Sequence, residues 1–229
     1  MDHLEKTFVA LKLWKIQFAS GLKATDDGGP NGQGTEIVYN ATRESGFASG
    51  FLIRPDGTIA TNFHVARRCR RAEATFADGT TLDIDSLEAY DRQNDLALLK
   101  MTSNKTLSMV ELDNSDVHVY DRVYSVGNPM GGGMSVTEGM VNRVHKDDDG
   151  KPICIQHSAA IAPGNSGGPL YRSGLVVGVY SLSIVPYEIH FAVPVSKLLE
   201  LMESPQGPSA LEDWFPSNPS EIIKKTRLI

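Results

Sequence analysis

One serine in this sequence lies in a setting that could make it a nucleophile. Residues 164–170 read Gly-Asn-Ser-Gly-Gly-Pro-Leu, which places Ser166 among glycines. A serine hydroxyl group reacts near neutral pH only when a base takes its proton and N–H groups bind the oxyanion that forms. Gly164 and Gly167 permit a sharp turn, after which the N–H groups of Gly164 and Ser166 could converge on one point. The same residue types also build ordinary loops, so this heptapeptide alone leaves both interpretations open.

A candidate base and a candidate acid lie upstream. His64 closes the segment Thr61-Asn62-Phe63-His64, which follows two short apolar stretches and a Pro-Asp-Gly turn, a pattern typical of a hairpin. Asp95 stands at the mouth of the apolar run 96–99, where an unpaired carboxylate would be costly. The order His, Asp, Ser along the chain is that of the chymotrypsin type, in which the three residues meet between two β-barrels.

The elements that would position these residues are predicted to be short strands joined by many turns. The 229 residues include 21 glycines and 12 prolines, scattered among short apolar runs. This composition is typical of an all-β barrel architecture, and the length suffices for one domain or a two-barrel unit.

The chain resembles the protease domain of HtrA/Deg serine endopeptidases over about residues 45–200. The resemblance rests on these segments: Ser49-Gly50-Phe51, Thr61-Asn62-Phe63-His64-Val65, Asn94-Asp95-Leu96-Ala97, Val126-Gly127-Asn128-Pro129, Val136-Thr137-Glu138-Gly139, Gly164-Asn165-Ser166-Gly167-Gly168-Pro169-Leu170 and Phe191-Ala192-Val193-Pro194. It implies two six-stranded antiparallel β-barrels of the chymotrypsin/trypsin-like fold, with short terminal helices. It also implies roles: His64 as general base, Asp95 as its orienter, Ser166 as nucleophile, and the N–H groups of Gly164 and Ser166 as oxyanion hole.

The same resemblance suggests where the side chain at the cleaved position would bind. Ile161 matches a residue that lines the primary pocket in the family, and Ile189 is expected on the opposite wall. Apolar walls imply cleavage after small or medium aliphatic residues, with loose preference. The alternative is that both isoleucines are barrel core. His190, where a glycine is common, either tunes this pocket with pH or is an ordinary structural residue.

Asn165 bears on regulation. In relatives activated by N-terminal cleavage, this position holds an aspartate that pairs with the new N-terminus, and an amide cannot form that ion pair. The resemblance therefore implies control by loop rearrangement. The alternative is that Asn165 is simply a turn residue.

Charge and composition limit the partners. The net charge is −6 and no dense basic stripe appears, which argues against nucleic acid. No metal-ligand spacing or phosphate loop is found, so no cofactor or metal is expected. We expect protein or peptide substrates, unfolded ones among them, and no membrane span, and assembly into a homo-oligomer is left open. Without a recognisable secretory signal, the protein is predicted to be cytoplasmic, with organelle targeting by its first residues left open.

The sequence divides into three parts. Residues 1–36 are predicted to form an amphipathic segment, helical over 4–18, and a mobile linker over 20–36. Residues 37–203 would form the protease domain, with one barrel over about 45–112, a second over about 117–195, and a closing helix at 195–203. Residues 204–229 are predicted to be a tail, too short to hold a PDZ domain.

Two other functions compete with a serine endopeptidase. A catalytically silent relative that binds proteins or acts as a chaperone-like module would have no need of all three residues. An esterase of unrelated fold would match the Gly-x-Ser-x-Gly spacing at 164–168, but it requires the order Ser, Asp, His and a helix after the serine. The sequence has neither, so the esterase is rejected.

Overall fold

The computed structural model describes residues 6–25, 34–67, 69–184, 189–204 and 209–210. Its elements in the first half are β1 Phe8–Thr25, β2 Gly34–Leu52, β3 Thr58–Thr61, α1 Phe63–Ala66, β4 Cys69–Thr75, β5 Thr81–Asp91 and β6 Leu96–Met101. Those in the second half are β7 Arg122–Gly127, a 3₁₀ turn Pro129–Gly131, β8 Ser135–Lys146, β9 Pro152–His157, β10 Pro169–Arg172, β11 Leu175–Ile184, β12 Ile189–Pro194, α2 Val195–Met202 and β13 Ser209–Ala210.

The strands form two closed antiparallel barrels of six strands each. In the first barrel the order is β5-β4-β1-β2-β3-β6, and pairing of β5 with β6 closes the ring. The short β13 adds to β5 from outside. In the second barrel the order is β10-β11-β12-β9-β8-β7, closed between β7 and β10. The predicted fold class is confirmed.

The first strand differs from the sequence prediction. Residues 4–18 were expected to be helical, but from Phe8 onward the chain is a strand paired with β2 and β4. Val9, Leu11 and Leu13 are buried while Lys12 is exposed, which is the two-residue period of a strand and not the 3.6-residue period of a helix. The predicted linker begins and ends within β1 and β2, and its residues 26–33 lie outside the described residues, as does most of the predicted tail.

Three apolar clusters hold the fold together. One fills the first barrel, a small one fills the second, and a third lies between them. The third joins Phe51 and Leu96 of the first barrel to Val179 of the second, and α2 adds Val195 and Leu198 to it. The helix predicted at 195–203 is present as α2, and its apolar residues pack into the cluster between the two barrels. Within the described residues no helix is long and apolar enough to span a bilayer.

The second barrel buries two neighbouring histidines. His157 on β9 is fully buried, and neither ring nitrogen has a hydrogen-bond partner among the described residues. His190 on β12 lies 5.9 Å away between ring centroids, and its Nδ1 is 2.8 Å from the Ser183 hydroxyl oxygen. The His157 and Tyr180 rings pack edge to face, with their centroids 6.5 Å apart. Burial, followed by the nearness of His190, lowers the pKa of His157 to about 4.

This buried imidazole predicts a loss of stability in acid. Because the pKa of His157 falls from 6.5 to about 4 on folding, the unfolded chain binds more protons than the folded one within that window. The neutral imidazole therefore favours the folded state above pH 6.5, and this contribution, up to about 3 kcal/mol, is lost as the pH falls towards 4. We expect His157→Leu to flatten the fall in unfolding free energy measured by denaturant titration across these pH values. His118→Gln, at an exposed histidine, should leave the fall unchanged. Equal slopes in all three proteins would contradict this assignment.

Candidate active site

The Asp95 residue fixes both the backbone and the ring of His64. Asp95 precedes β6 in the left-handed backbone region, with φ 54°, which aspartate tolerates better than most residues. Its carbonyl oxygen accepts hydrogen bonds from the Phe63 N–H and the Asn62 side-chain amide, at 3.1 and 2.9 Å. Its carboxylate accepts one from the His64 backbone N–H at 2.9 Å, and Oδ2 lies 2.7 Å from His64 Nδ1. The start of α1 is thereby tied to the end of the loop before β6.

The protonation of this pair follows from its partners. Burial alone would raise the pKa of the Asp95 carboxyl, but hydrogen bonds from His64 and from the Ser181 hydroxyl outweigh it, and the pKa lies below its ordinary value. Ser181 on β11 donates to Oδ2 at 2.6 Å. An ionised carboxylate only accepts hydrogen bonds, so His64 Nδ1 carries the proton in this contact. The other ring nitrogen, Nε2, is then a proton acceptor when the imidazole is neutral.

The turn around Ser166 needs its glycines. Gly164 and Gly167 have φ values of 104° and 84°, which L-residues with side chains rarely adopt. A Cβ atom at Gly164 would lie 2.2 Å from the Asn128 carbonyl oxygen, and one at Gly167 would lie 2.1 Å from Thr61 Oγ1. The predicted glycine-permitted turn is confirmed at both positions.

The peptide group that carries the Gly164 N–H is held from its other side. In a trans peptide the carbonyl and the N–H point in opposite directions. The Pro163 carbonyl accepts a 2.7 Å hydrogen bond from the Met130 N–H, in the 3₁₀ turn after β7. The Gly164 N–H therefore points away from that turn.

The same arrangement repeats at the peptide group that carries the Ser166 N–H. The Asn165 carbonyl accepts a hydrogen bond from the Gly168 N–H at 2.9 Å. Within the described part of the chain, the N–H groups of Gly164 and Ser166 have no acceptor, whereas the N–H of Asn165 between them donates to the Ala162 carbonyl. Two N–H groups held in place without an acceptor are what binding of an oxyanion requires.

The Ser166 turn lies directly beside the segment that leads to His64. The Ser49 N–H on β2 donates to the Ser166 carbonyl at 2.9 Å. A Cβ atom built on Gly167 would lie 3.1 Å from the Asn62 nitrogen, two residues before His64. Ser166 and His64 are both half-buried, so each is shielded and still reachable from solvent. The structure thus brings His64 and Asp95 into direct contact and sets the Ser166 turn against the residues before His64.

The structure places the two predicted pocket residues on different segments, Ile161 in the loop before the Ser166 turn and Ile189 on β12. Ile161 precedes the turn and is half-buried. Ile189 is the first residue of β12, pairs in register with Ile184 of β11, and is also half-buried. His190 is 5% exposed and has a hydroxyl partner, as expected of a structural residue. Asn165 is buried against Gly127, where an added Cβ would lie 2.4 Å from its side chain.

Several residues of this site were missed by sequence reasoning. Ser181 is one of many serines, and its only signal is that it ends the apolar run 176–180. Ser49 and Met130 contribute a backbone N–H or a hydroxyl group, which nearly any loop offers. Their roles depend on the meeting of distant strands, which the sequence pattern does not reveal.

Several known proteins are similar to this chain. A family model described as a trypsin-like peptidase domain matches residues 48–179. A protein of Rickettsia conorii named a probable periplasmic serine endoprotease, DegP-like, is 37% identical over 180 residues, which cover 73% of this chain and 35% of that protein. The putative serine protease HhoB of Synechocystis is 30% identical over 226 residues, covering 89% of this chain and 54% of that protein. The chain thus spans about a third to a half of the length of these curated relatives.

A solved structure is also similar. It is an HtrA-type protease, AlgW, in a serine-to-alanine variant with a decapeptide. The TM-score is 0.73 at 26% sequence identity, and the match covers 89% of this chain and 65% of that one.

The names of the relatives overturn one prediction. The protein was expected to be cytoplasmic, but relatives from Rickettsia conorii, Rickettsia prowazekii, Rhizobium meliloti and Bartonella henselae are named periplasmic endoproteases. The cytoplasmic prediction is therefore wrong. The prediction was made because no secretory signal was recognised, and that absence is not evidence for a cytoplasmic location.

The hydrogen bond from Ser181 stabilises the ionised form of the Asp95 carboxyl, so removal of the Ser181 hydroxyl should change both the pKa of Asp95 and the stability of the fold. We expect Ser181→Ala to raise the pKa of the Asp95 carboxyl, because one of the two side-chain donors that lower it is lost. A hydrogen bond to a charged group contributes about 1.5–3 kcal/mol, so stability at pH 7 should fall by a similar or smaller amount. A carboxyl whose pKa is lowered on folding stabilises the fold above its ordinary pKa, so the difference between variant and parent should shrink in acid.

The measurements are a titration of the Asp95 carboxyl carbon by NMR and thermal unfolding at pH 7 and pH 3. Ser183→Ala is the matched control, since Ser183 lies two residues further along β11 and contacts His190 instead. An Asp95 pKa that moves equally in both variants would show that the Ser181 contact is not the cause.

Proposed function

The chain belongs to the family of trypsin-like peptidases, and we propose that it is a serine endopeptidase that hydrolyses peptide bonds through an acyl-enzyme. Its substrates are proteins or peptides. The observation that carries the proposal is the 2.7 Å contact between Asp95 and His64, set beside a glycine-bounded turn with two N–H groups held in place. The decapeptide named with the similar AlgW structure supports a peptide substrate. That the protein forms a homo-oligomer stays a prediction.

In the first chemical step the Ser166 hydroxyl oxygen attacks the carbonyl carbon of the substrate. The hydroxyl proton passes to Nε2 of His64, whose Nδ1 already holds a proton against Asp95. The ionised Asp95 stabilises the imidazolium that forms and keeps the ring in the correct tautomer. Because Asp95 also bonds to the His64 backbone, the imidazole is oriented before the substrate arrives.

The negative charge formed on the substrate oxygen is bound by the N–H groups of Gly164 and Ser166. Each such donor lowers the barrier by about 3–4 kcal/mol. The intermediate then collapses, the carbon–nitrogen bond breaks, and His64 gives its proton to the departing amine. Water attacks the acyl-enzyme with His64 again as base, which releases the acid product and restores the Ser166 hydroxyl.

Replacement of the nucleophile tests this proposal. We expect Ser166→Ala to lower kcat for peptide hydrolysis by about 10⁵- to 10⁶-fold, because no hydroxyl group remains to form the acyl-enzyme. Unfolding free energy should change by less than about 1 kcal/mol, since the residue is only half-buried. Ser108→Ala, at an exposed serine, should retain full activity.

A fluorophosphonate probe distinguishes an enzyme from a catalytically silent binding protein. The probe should label the parent protein on Ser166, and His64→Ala should abolish the labelling because the serine then lacks its base. A correctly folded parent protein that neither hydrolyses peptides nor reacts with the probe would favour the silent, protein-binding alternative.

A substrate preference is proposed from Ile161, which lies just before the Ser166 turn, and from Ile189, which begins β12. Ile161 and Ile189 are half-buried, so part of each side chain is available for contact. The described residues 158–162, 181–184 and 189–190 contain no carboxylate, which removes the usual partner for lysine or arginine at the cleaved position. We infer that the enzyme cleaves after small or medium aliphatic residues.

A peptide library tests the proposed pocket. We expect cleavage mainly after residues such as alanine, valine and leucine, with differences of about 10- to 200-fold in kcat/KM per methylene. Ile161→Ala should shift the preference towards larger aliphatic residues, because a smaller wall leaves more space. The control is Ile153→Ala on β9, which is exposed at the protein surface. Cleavage mainly after lysine or arginine would refute the assignment of this pocket.

A further inference from the structure

Ser49 is a buried residue whose polar groups all engage the site or its immediate surroundings. It lies on β2, which belongs to the first barrel, and it is 0% exposed. Its N–H donates to the Ser166 carbonyl at 2.9 Å, and its hydroxyl donates to the Gly164 carbonyl at 2.8 Å. The same hydroxyl accepts the Asn128 N–H at 2.9 Å, and the Ser49 carbonyl accepts the Thr61 hydroxyl at 2.8 Å.

These contacts complete the set of bonds that hold the turn. The carbonyls of four successive residues, 163–166, each accept a hydrogen bond, and Ser49 supplies two of the four donors. At Gly164 the preceding peptide plane is held through Pro163 by Met130, and the following plane is held by the Ser49 hydroxyl. The two tethers together fix φ and ψ of Gly164.

Gly164 is the residue where such tethers matter most. Glycine has the widest range of backbone conformations, so the same property that permits φ 104° also permits rotation away from it. Rotation of the peptide planes around Gly164 would turn its N–H away from the substrate oxygen. A fixed donor contributes to catalysis, whereas a donor that must reorient during the reaction contributes less.

We propose that Ser49 is a positioning residue of the active site, whose hydroxyl group, through the Gly164 carbonyl, holds the backbone between the proposed oxyanion-binding N–H groups of Gly164 and Ser166 in its reactive conformation. The hydroxyl also ties Asn128, at the start of the loop that carries Met130, to the same point. One side chain of the first barrel thus sets the conformation of a turn that belongs to the second. This inference rests on the proposed peptidase function and adds a residue that does not itself touch the substrate.

The test compares a ligand that uses the oxyanion hole with one that does not. A peptide aldehyde ending in valinal accepts the Ser166 oxygen at its carbonyl carbon, with the serine proton passing to His64 and the former carbonyl oxygen becoming the bound oxyanion. The corresponding peptide alcohol, ending in valinol, fills the same subsites and forms no such bond. The affinity ratio of aldehyde to alcohol therefore reports on transition-state-like binding, and a purely structural role would weaken both ligands alike.

We expect Ser49→Ala to weaken aldehyde binding by about 10- to 100-fold and to lower kcat by a similar factor, because both donors remain but the Gly164 carbonyl between them has lost its tether. Alcohol binding and KM should change by less than about threefold. The matched control is Ser125→Ala on β7, which removes a buried hydroxyl group that has no hydrogen-bond partner in the described part of the chain. Ser125→Ala should keep the parent affinity ratio and kcat.

A second variant keeps the proposal testable if Ser49→Ala does not fold. Ser49→Cys nearly preserves the side-chain volume, but a thiol is a weak donor and acceptor, so we expect a folded protein with an affinity ratio below that of the parent. An unchanged ratio in a folded Ser49→Ala or Ser49→Cys protein would overturn the proposal. Failure of both variants to fold would assign Ser49 to stability alone and would also overturn it. A parent protein that neither hydrolyses peptides nor binds the aldehyde more tightly than the alcohol would overturn the peptidase function itself.

Discussion

The arrangement of the site depends on one carboxylate. Asp95 accepts hydrogen bonds from the His64 ring and backbone on one side and from the Ser181 hydroxyl on the other. His64 and Asp95 belong to the first barrel, and Ser181 to the second. The carboxylate is therefore both the partner of the imidazole and a bond between the barrels. Its burial is tolerated because each oxygen has a donor, since a buried charge without such partners would be costly.

A second set of hydrogen bonds crosses the same seam in the opposite direction. Ser49 of the first barrel holds the Gly164 and Ser166 carbonyls, which lie just before β10 of the second barrel. An apolar cluster beneath the seam, with Phe51 and Val179 among its members, keeps the barrels in register. Because both polar connections rest on this one interface, a shift between the barrels would disturb the proposed base and the proposed oxyanion donors together. Site geometry and inter-barrel packing are thus one property of the fold.

The residues whose chemistry is specific to their type could be predicted from the sequence. Ser166, His64 and Asp95 have recognisable neighbours, and the left-handed turns at Gly164 and Gly167 follow from residue type, because few other residues adopt them. Prediction from the sequence failed where the structure depended on tertiary contacts. Lysines among the apolar residues of β1 suggested an amphipathic helix, yet Lys12 simply occupies the exposed face of a strand whose alternate residues enter the barrel. Likewise, a hydroxyl such as that of Ser49 acquires its role only when β2 meets a turn 115 residues further along the chain.

The glycines of the turn explain why such remote tethers are needed. A conformation reachable only by glycine is also one that glycine leaves easily, and fixing a backbone residue costs about 1–2 kcal/mol of conformational entropy. If that cost were met only when substrate bound, the proposed oxyanion donors would lose part of their effect on the barrier. Four tethered carbonyls in a row meet it during folding, so the N–H groups of Gly164 and Ser166 are already in place for the role proposed for them. The turn is therefore permitted by its own sequence, and three of its four tethers come from Ser49 and Met130, which lie outside it.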